Sequence, residues 1–532
     1  AWTAIHIRVA FGPVAMGAAA LAGAQIADLL EHHVRAGARM ALEPREDGCN
    51  VKQLAVRRAR HYLDAATKAS SAWGSTSGSR GRLRGASFRM NELVEKLARS
   101  KSVGSAAFAR WIVLGTWSDP HGREREEIYR TLEAADHSQL CYLLCSTNCA
   151  KLAFVASWQC LDMLLGIDNG NSNENGGVDS GSCGSMSSSP IGSHPVHRLG
   201  ELPVDVKAFL LDGLQRAGIP TSQSKQVWAR NIVTATSGHE LAVLKAIMDS
   251  RGDWHSMHKL VFYDLRGDRR TEVLDHLEAE GIRVKEETHR DGDKMKFTKI
   301  VSDVDDTLVS SGGLWPAGVD RKIPRKAMYP GVGELFHQIH IHCSGTKYFN
   351  DSDSDSDRGV EGDSEYAQYR PFFASSSLAF LTARPKAYKG VSEMYAYSTL
   401  IGPLKKKNLL HSEPVILSGD LKSGLHVLFQ ALCGRLRLKR MGKGKGSRSP
   451  RRPTTLWYPV AERKAEALLQ YMRIYPEYDF VLFGDNGQGD VLCSEIVMDL
   501  MQNAPPSSSS SNLPKIRASM FHLVRRSSET LS

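Results

Sequence analysis

Short apolar runs alternate with amphipathic stretches from Phe297 to Gln502. Runs such as "KIVSD", "LAFLTARP" and "FVLFGDNG" lack a helical period, whereas "VGELFHQIHIH", "AERKAEALLQYMRIY" and "VLCSEIVMDLMQ" have the spacing of helices that bury one side. Strands that alternate with helices are typical of a parallel sheet covered by helices on both faces. The pattern therefore predicts an α/β domain with a Rossmann-like parallel sheet over residues 296–502.

The first half of the chain has a different pattern. Residues 1–165 are predicted to be mainly helical, and residues 196–295 to form a helical or α/β accessory region, because apolar residues recur mostly at helical spacing. Within the accessory region, "HKLVFYDL" (258–265) is a candidate strand. The next stretch, "RRTEVLDHLEAEGI", predicts a helix that ends at Gly281.

Four segments have compositions that are typical of disordered chain. Residues 166–195 are rich in Gly, Ser and Asn; residues 350–365 are acidic; residues 434–452 are basic; and the tail 503–532 begins with "NAPPSSSSSNLP". Small polar or like-charged residues cannot bury enough apolar surface to order the backbone. We therefore predict a disordered linker, two disordered inserts in the α/β domain and a disordered tail.

Composition adds a cellular context and two alternatives. The 532 residues carry a net charge of +10 and 9 cysteines. Their spacing is not that of a disulfide framework, which favours a reduced, cytoplasmic protein. Cys141, Cys145 and Cys149 would share one helix face, either as a buried stripe or as a zinc site.

The segment Val9–Ala27 is uncharged but rich in Ala and Gly, so a membrane or targeting segment and a buried or amphipathic helix both stay open.

Acidic residues follow two of the predicted strands. Asp303 ends one apolar run, and Asp305 lies two residues further, where an extended chain projects side chains the same way. Asp485 and Asp490 follow the later run in "FGDNGQGD". Because the carboxyl ends of parallel strands form the ligand edge of such sheets, these four carboxylates should converge. Carboxylates this close need a cation between them, and oxygen ligands suit Mg²⁺.

Other polar residues extend this predicted site. Thr382 offers a hydroxyl at the end of the intervening strand, and Arg384 either contacts a substrate or caps a turn. A lysine should supply positive charge, and the candidates are Lys464, on the helix before the later strand, and Lys422 in "SGDLKSG". Asp306 is predicted to be a turn or capping residue rather than a ligand.

Taken in order, these motifs resemble the haloacid dehalogenase superfamily of phosphoryl-transfer enzymes. The matching motifs are D-x-D-x-T at 303–307, a strand-end Thr, a helical Lys and G-D-x-x-x-x-D at 484–490. More narrowly, "SDVDDTLVSSG", "AMYPGVGELF", "LTARPKAYKGVSE" and "FVLFGDNGQGDV" are similar to the catalytic domain of the actin-patch-protein phosphatidate phosphatases, above all to protist members. The resemblance covers residues 296–502 without the two inserts, and it does not extend to the N-terminal half.

The resemblance implies a haloacid dehalogenase-like fold and Mg²⁺-dependent hydrolysis of phosphatidate or another phosphomonoester. In this family pattern Asp303 would be the nucleophile that becomes an aspartyl phosphate, and Asp305 the general acid and then the base. Thr382 and Lys464 would bind the phosphate oxygens, and the spacing favours Lys464 over Lys422. The Mg²⁺ ligands that it implies are Asp303, the backbone carbonyl of Asp305, Asp485 and, in support, Asp490.

Two alternatives to a phosphatidate phosphatase stay open. One is a phosphatase of the same superfamily that acts on a soluble or protein phosphomonoester. The other is an inactive scaffold, against which the intact set of motifs argues. The basic insert, between 435 and 452, would be either a solvated loop or a peripheral contact with anionic membranes. Nucleic acid is disfavoured as a partner because no aromatic residues interleave these charges.

Overall fold

The computed structural model describes residues 8–10, 51–71, 76–102, 121–156, 158–166, 198–251, 255–290, 297–313, 320, 322–343, 369, 372–373, 376–385, 401–406, 410, 414–419, 454–487, 489–502 and 514–524. The chain divides into two compact units. One is formed from Ala1–Asn50, Lys245–Phe262 and Leu274–Ser532, and the other from Val51–Leu244 and Tyr263–Val273. The predicted linker beyond residue 166 and both charged inserts lie outside the described residues. The domain boundaries suggested by composition remain predictions.

One six-stranded sheet lies in the first unit. Its strands are β1 (Arg8–Ala10), β2 (Thr298–Ser302), β3 (Leu378–Pro385), β4 (Val415–Gly419), β5 (Asp479–Asp485) and β6 (Ile516–His522). Their order is β1-β6-β5-β2-β3-β4. Strands β2 to β6 run parallel, and β1 pairs antiparallel with β6 at one edge. The predicted α/β domain with a parallel sheet is confirmed.

The described helices are numbered along the chain. They are α1 (Val51–Ser71), α2 (Thr76–Ser102), α3 (Gly122–Glu133), α4 (His137–Ser146), α5 (Cys149–Val155), α6 (Trp158–Leu165), α7 (Val204–Arg216), α8 (Gln223–Thr234), α9 (Gly238–Asp249), α10 (Met257–Lys259), α11 (Asp268–Arg290), α12 (Val332–Cys343), α13 (Gly402–Lys406), α14 (Thr454–Ile474) and α15 (Asp490–Gln502). Among them, none combines the length and the apolar composition needed to cross a membrane.

Helices cover both faces of the sheet, as the alternation of side chains along β5 demonstrates. Phe480 and Phe483 are three residues apart in this strand, so their rings point to opposite faces. Phe483 packs edge-on against Phe336 of α12, with ring centroids 4.8 Å apart. Phe480 packs against Tyr471 of α14 at 6.3 Å. Every residue of β2 and β5 is accordingly buried, which explains the apolar run at the centre of each strand.

The candidate strand at 258–265 is wrong, because residues 258–264 are helical. Helix α10 continues into a π-helical turn over Leu260–Asp264. Two side chains begin this helix: the Ser256 hydroxyl accepts the backbone N–H of Lys259 at 3.2 Å, and Oδ1 of Asp249 accepts that of Met257 at 2.8 Å. Capping by these side chains overrides the strand propensity of a short apolar run.

The predicted helix end at Gly281 is also wrong, because α11 continues to Arg290. A Cβ atom at Gly281 would lie 2.3 Å from Cγ of Pro476. Glycine is therefore required here for the close approach of this helix to the turn that precedes β5, and not as a helix stop.

The C-terminal tail was predicted to be disordered throughout, and this is wrong for residues 516–522. These residues form β6, which pairs in parallel with β5. Its alternating side chains place Ala518 and Met520 in the apolar core on the α12 face. Hydrogen bonds to β5 therefore order this segment, although the serine-rich sequence before it predicts disorder.

The three regularly spaced cysteines do not share one helix. Cys141 and Cys145 lie in α4, whereas Cys149 begins α5 after a break where the Asn148 side chain accepts the backbone N–H of Lys151 at 3.1 Å. All three thiols are free and buried, and burial raises the pKa of Cys141 and of Cys149 to about 12. Within the described part of the chain, they belong to no group arranged to hold a metal ion. The buried-stripe interpretation therefore fits the structure better than a zinc site.

Candidate functional site

Asp303 directly follows β2, at the carboxyl edge of the sheet. Its backbone N–H donates to the carbonyl oxygen of Phe483 in β5 at 2.8 Å, which extends the ladder by one residue beyond the strand. Its own carbonyl oxygen accepts the Ser302 hydroxyl at 2.7 Å. The residue is only 4% exposed. The backbone at this position is therefore held rigidly between the two central strands.

Asp485 and Asp490 approach the same edge from β5. Asp485 is the last residue of that strand, and Asp490 is the first residue of α15. Oδ2 of Asp490 accepts the backbone N–H of Asp485 at 3.1 Å, which folds the connecting loop back on the strand end. A Cβ atom at Gly484 would lie 2.6 Å from Cβ of Asp490. The glycine before Asp485 thus makes room for the second carboxylate.

Lys464 joins these carboxylates from α14. Its ammonium donates to Oδ1 of Asp303 at 2.8 Å and to Oδ1 of Asp490. The side chain is 2% exposed. The alternative lysine, Lys422, lies outside the described residues.

The electrostatics of this cluster favour an additional cation. Ligand oxygens of Asp303, Asp485 and Asp490 all lie within 4.8 Å of one another, and the Lys464 ammonium contacts two of the three carboxylates, Asp303 and Asp490. Burial, reinforced by the Asp490 carboxylate, raises the pKa of Asp303 to about 8 although Lys464 opposes this shift. Burial and the carboxylates of Asp490 and Asp303 raise the pKa of Asp485 well above its usual range. Burial lowers the pKa of Lys464, but its two carboxylate partners outweigh that and raise it overall.

Two oxygens of the cluster are positioned to take a ligand. Oδ2 of Asp303 and Oδ2 of Asp485 are buried and have no hydrogen-bond partner among the described residues. A buried carboxylate oxygen without a partner is costly, and a bound cation removes that cost. Oxygen donors are also the ligands that hard divalent cations take. The buried triad could therefore hold a metal ion.

The remaining predicted site residues lie in the loop after β2 and in the neighbouring strand β3. Asp305 is half-buried in the loop after β2, and its carboxylate is outside the group that could hold a metal. Thr382 is buried in β3 and pairs with Ser418 of β4. The sequence predicts that this strand ends at Thr382. The strand instead continues through Arg384 to Pro385, with an irregular register against β4.

Asp306 is a loop-ordering residue, as predicted. It is one of the non-glycine residues in the left-handed region, with φ 63°. Its carboxylate accepts the backbone N–H groups of Ser311 at 2.8 Å and of Asp320 at 3.0 Å. The side chain therefore folds the following loop over the strand end.

Sequence reasoning missed three residues around Asp306. The Tyr329 hydroxyl donates to Oδ2 of Asp320 at 2.5 Å, and its ring lies edge-on against His522, with centroids 4.4 Å apart. His522 lies at the end of β6, in the segment predicted to be disordered. The alternation in "IRASMFH" was the available signal for this strand.

Comparison with protein-family models, with curated proteins and with solved structures finds no match to this chain. The site consists of a buried cluster of three carboxylates and one lysine at the carboxyl edge of a parallel sheet, with a further carboxylate, Asp305, two residues beyond the first.

Proposed function

We propose that this protein is a Mg²⁺-dependent phosphatase that hydrolyses a phosphomonoester through an aspartyl phosphate on Asp303. The observation that carries the proposal is the buried triad of Asp303, Asp485 and Asp490, with Lys464 bound to Asp303 and two carboxylate oxygens left without a partner. The D-x-D-x-T and G-D-x-x-x-x-D motifs that supply these residues support the same reading, and a haloacid dehalogenase-like fold agrees with the strand order.

Asp303, Asp485 and Asp490 would hold the metal, which when bound supplies positive charge that offsets the negative charge on the phosphoryl oxygens. Lys464 keeps the Asp303 carboxylate in one orientation and adds to that positive charge. Thr382 would bind a phosphoryl oxygen through its hydroxyl. Most of the catalytic effect in phosphoryl transfer comes from such positioning and electrostatics.

The chain supplies both proton and nucleophile for the two chemical steps. In the first, a carboxylate oxygen of Asp303 forms a bond to phosphorus while the bond from phosphorus to the leaving oxygen breaks, and Asp305 gives its proton to that oxygen. In the second, Asp305 takes a proton from water as the water oxygen attacks phosphorus. The bond to Asp303 then breaks, inorganic phosphate leaves, and both carboxyl groups return to their starting state.

The substrate we propose is phosphatidate, which would yield diacylglycerol. This choice rests on the resemblance to the actin-patch-protein phosphatidate phosphatases, and the basic insert at 435–452 agrees with a substrate in an anionic membrane. A soluble or protein phosphomonoester would use the same four catalytic residues, which are Asp303, Asp305, Thr382 and Lys464.

Phosphate release from a panel of substrates tests the proposal. We expect the purified protein to release phosphate from phosphatidate vesicles in the presence of Mg²⁺, and to do so faster than from a phosphopeptide or a sugar phosphate. Asp303→Asn, which is nearly isosteric but cannot attack phosphorus, should abolish release. Wild-type activity in that variant would refute the nucleophile, and no release from any monoester would leave an inactive scaffold.

A further inference from the structure

His522 connects the two loops that carry the proposed catalytic residues. Its backbone carbonyl oxygen accepts the N–H of Asn486 in the loop after β5 at 3.1 Å. On the other side, its Nδ1 lies 2.7 Å from the carbonyl oxygen of Asp306 in the loop after β2. Because a carbonyl oxygen only accepts, Nδ1 carries the hydrogen in this bond. The His522 side chain therefore binds the loop after β2, and its backbone binds the loop after β5.

The bond from His522 completes the hydrogen bonding of Asp306. The backbone N–H of Asp306 donates to the carbonyl oxygen of Val309 at 2.8 Å, and its carboxylate accepts two backbone N–H groups of the following loop. Its carbonyl oxygen is the remaining polar group, and His522 binds it. Asp306 has φ 63°, in the left-handed region, which Asp adopts more readily than most residues with a Cβ atom and which its hydrogen bonds to the loop stabilise.

Asp305 and Asp306 share one peptide unit, and a peptide unit is planar. The bond from the Asp306 N–H to Val309 therefore fixes the direction of the Asp305 carbonyl. The Asp306 carbonyl, which His522 binds, lies in the next peptide unit, and the φ and ψ angles of Asp306 link the two units. Holding both units limits the rotation of the Asp305 backbone. Tyr329 supports this arrangement, because its ring packs against His522 and its backbone N–H donates to Leu308 in the same loop at 3.0 Å. The result is a rigid platform beneath the residue that would act as general acid.

We propose that His522 is a positioning residue for Asp305, which it holds in reach of the leaving oxygen by binding the Asp306 carbonyl. This inference rests on the proposed phosphatase function. It assigns a role to β6, a strand that carries none of the recognised motifs. It also predicts a specific defect, because a displaced general acid matters only for leaving groups that need a proton.

The test compares two substrates in two matched variants. A phenylalanine at this position keeps a ring against Tyr329 but loses the donor, whereas an asparagine can place its amide N–H where Nδ1 lies. We expect His522→Phe to lower kcat on an alkyl phosphomonoester at least tenfold more than kcat on p-nitrophenyl phosphate, whose leaving group needs little protonation. His522→Asn should restore most of the wild-type ratio of kcat on the alkyl phosphomonoester to kcat on p-nitrophenyl phosphate. Asp305→Asn, as the reference for a missing acid, should show the same selective loss.

A second measurement separates positioning from general damage. Mg²⁺ should still raise the melting temperature of His522→Phe, because the described contacts of this ring are with Asp306 and Tyr329 and not with Asp303, Asp485 or Asp490. A partial decrease of the shift agrees with a displaced Asp305 carbonyl, which the resemblance implies as a further ligand. Equal losses on both substrates, or a complete loss of the Mg²⁺ shift, would overturn the role of His522 while leaving the phosphatase proposal intact. A wild-type protein that releases phosphate from neither substrate would overturn both. If His522→Phe does not fold, His522→Gln, whose amide N–H lies further along the side chain than Nδ1, replaces it in the same comparison.

Discussion

The ammonium of Lys464 lies 2.8 Å from Oδ1 of Asp303, although 161 residues separate the two along the chain. Both residues are almost fully buried, at 2% and 4% exposure. A buried ion pair contributes little net stability compared with an apolar pair, but removing one partner leaves a buried charge uncompensated. The lysine is therefore both a predicted participant in catalysis and a condition for holding three carboxylates together.

Replacing this lysine should damage stability and activity together. We expect Lys464→Met to lower the free energy of unfolding by about 3–5 kcal/mol in the absence of Mg²⁺, and to abolish phosphate release. Urea unfolding at pH 7 gives the first quantity. Arg130→Met, which removes an exposed ion pair with Glu126 on α3, is the control and should stay close to wild type. Equal stability of the two variants would contradict a buried structural role for Lys464.

Metal binding should be measurable without substrate. Adding Mg²⁺ at about 100 times its dissociation constant should stabilise the folded protein by about 2.7 kcal/mol, seen as a higher melting temperature. Asp485→Asn should lose this shift, because it removes a carboxylate of the triad. Asp499→Asn changes an exposed carboxylate on the same helix as Asp490 and should keep it. Phosphate release in excess EDTA at the full rate would rule out the metal requirement.

Gly484 should tolerate no side chain. A Cβ atom there would lie 2.9 Å from Oδ2 of Asp490, so Gly484→Ala has to displace a carboxylate of the site. We expect a loss of about 1–3 kcal/mol in stability, as for other overpacked sites, with at least a tenfold fall in activity. Gly85→Ala in α2, where an added Cβ meets nothing within 4 Å, is the matched control. Wild-type activity in Gly484→Ala would show that activity does not depend on the observed position of the Asp490 carboxylate.

Lys299 should make the stability depend on pH above neutrality. Its ammonium is buried in β2, 4.0 Å from the Tyr475 ring centroid, and donates to the carbonyl oxygen of Ser376 at 2.7 Å. Burial lowers the pKa of Lys299 to about 8, against the opposing effects of Asp249 and Glu477. The unfolded lysine has a pKa of about 10.4. Between the two values the unfolded chain binds more protons, so the free energy of unfolding should rise with pH.

Lys299→Met lacks this titration. From pH 8 to pH 10, the wild type should gain on the order of 2 kcal/mol relative to this variant, measured by urea unfolding at each pH. Lys322→Met, at an exposed position of the same unit, should run parallel to the wild type. A constant difference between wild type and Lys299→Met over this range would contradict a lowered pKa.

The basic insert gives a test of substrate presentation. Deleting 435–452 removes Lys and Arg residues that lie outside every catalytic motif. We expect weaker binding to anionic vesicles and slower hydrolysis of phosphatidate in vesicles, with little change for a soluble phosphomonoester. Because such attraction decays within a Debye length of about 8 Å at physiological salt, co-sedimentation should weaken as salt rises. Equal vesicle binding by both forms at low salt would leave the insert as a solvated loop.

The parallel sheet and the acidic strand ends were predictable because both are encoded locally. Fully buried strands such as β5 must be continuous apolar runs, and the D-x-D spacing places two carboxylates on one side of an extended chain. Asp303 and Asp485 could be expected together, since the carboxyl ends of parallel strands meet at one edge. The side chains of Asp303, Asp485 and Asp490 do lie together, whereas their catalytic roles remain predictions.

Only the tertiary structure decided the features that depend on distant partners. A run such as 258–265 reads as strand or helix by periodicity alone, and Ser256 and Asp249 cap it as a helix. Gly281 looks like a helix end until Pro476 packs against it. Likewise, β6 exists because β5 offers it a hydrogen-bonding edge, and through β6 His522 reaches Asp306 across 216 residues. Sequence patterns record what a segment can form, and the free energy of its long-range contacts selects which form it takes.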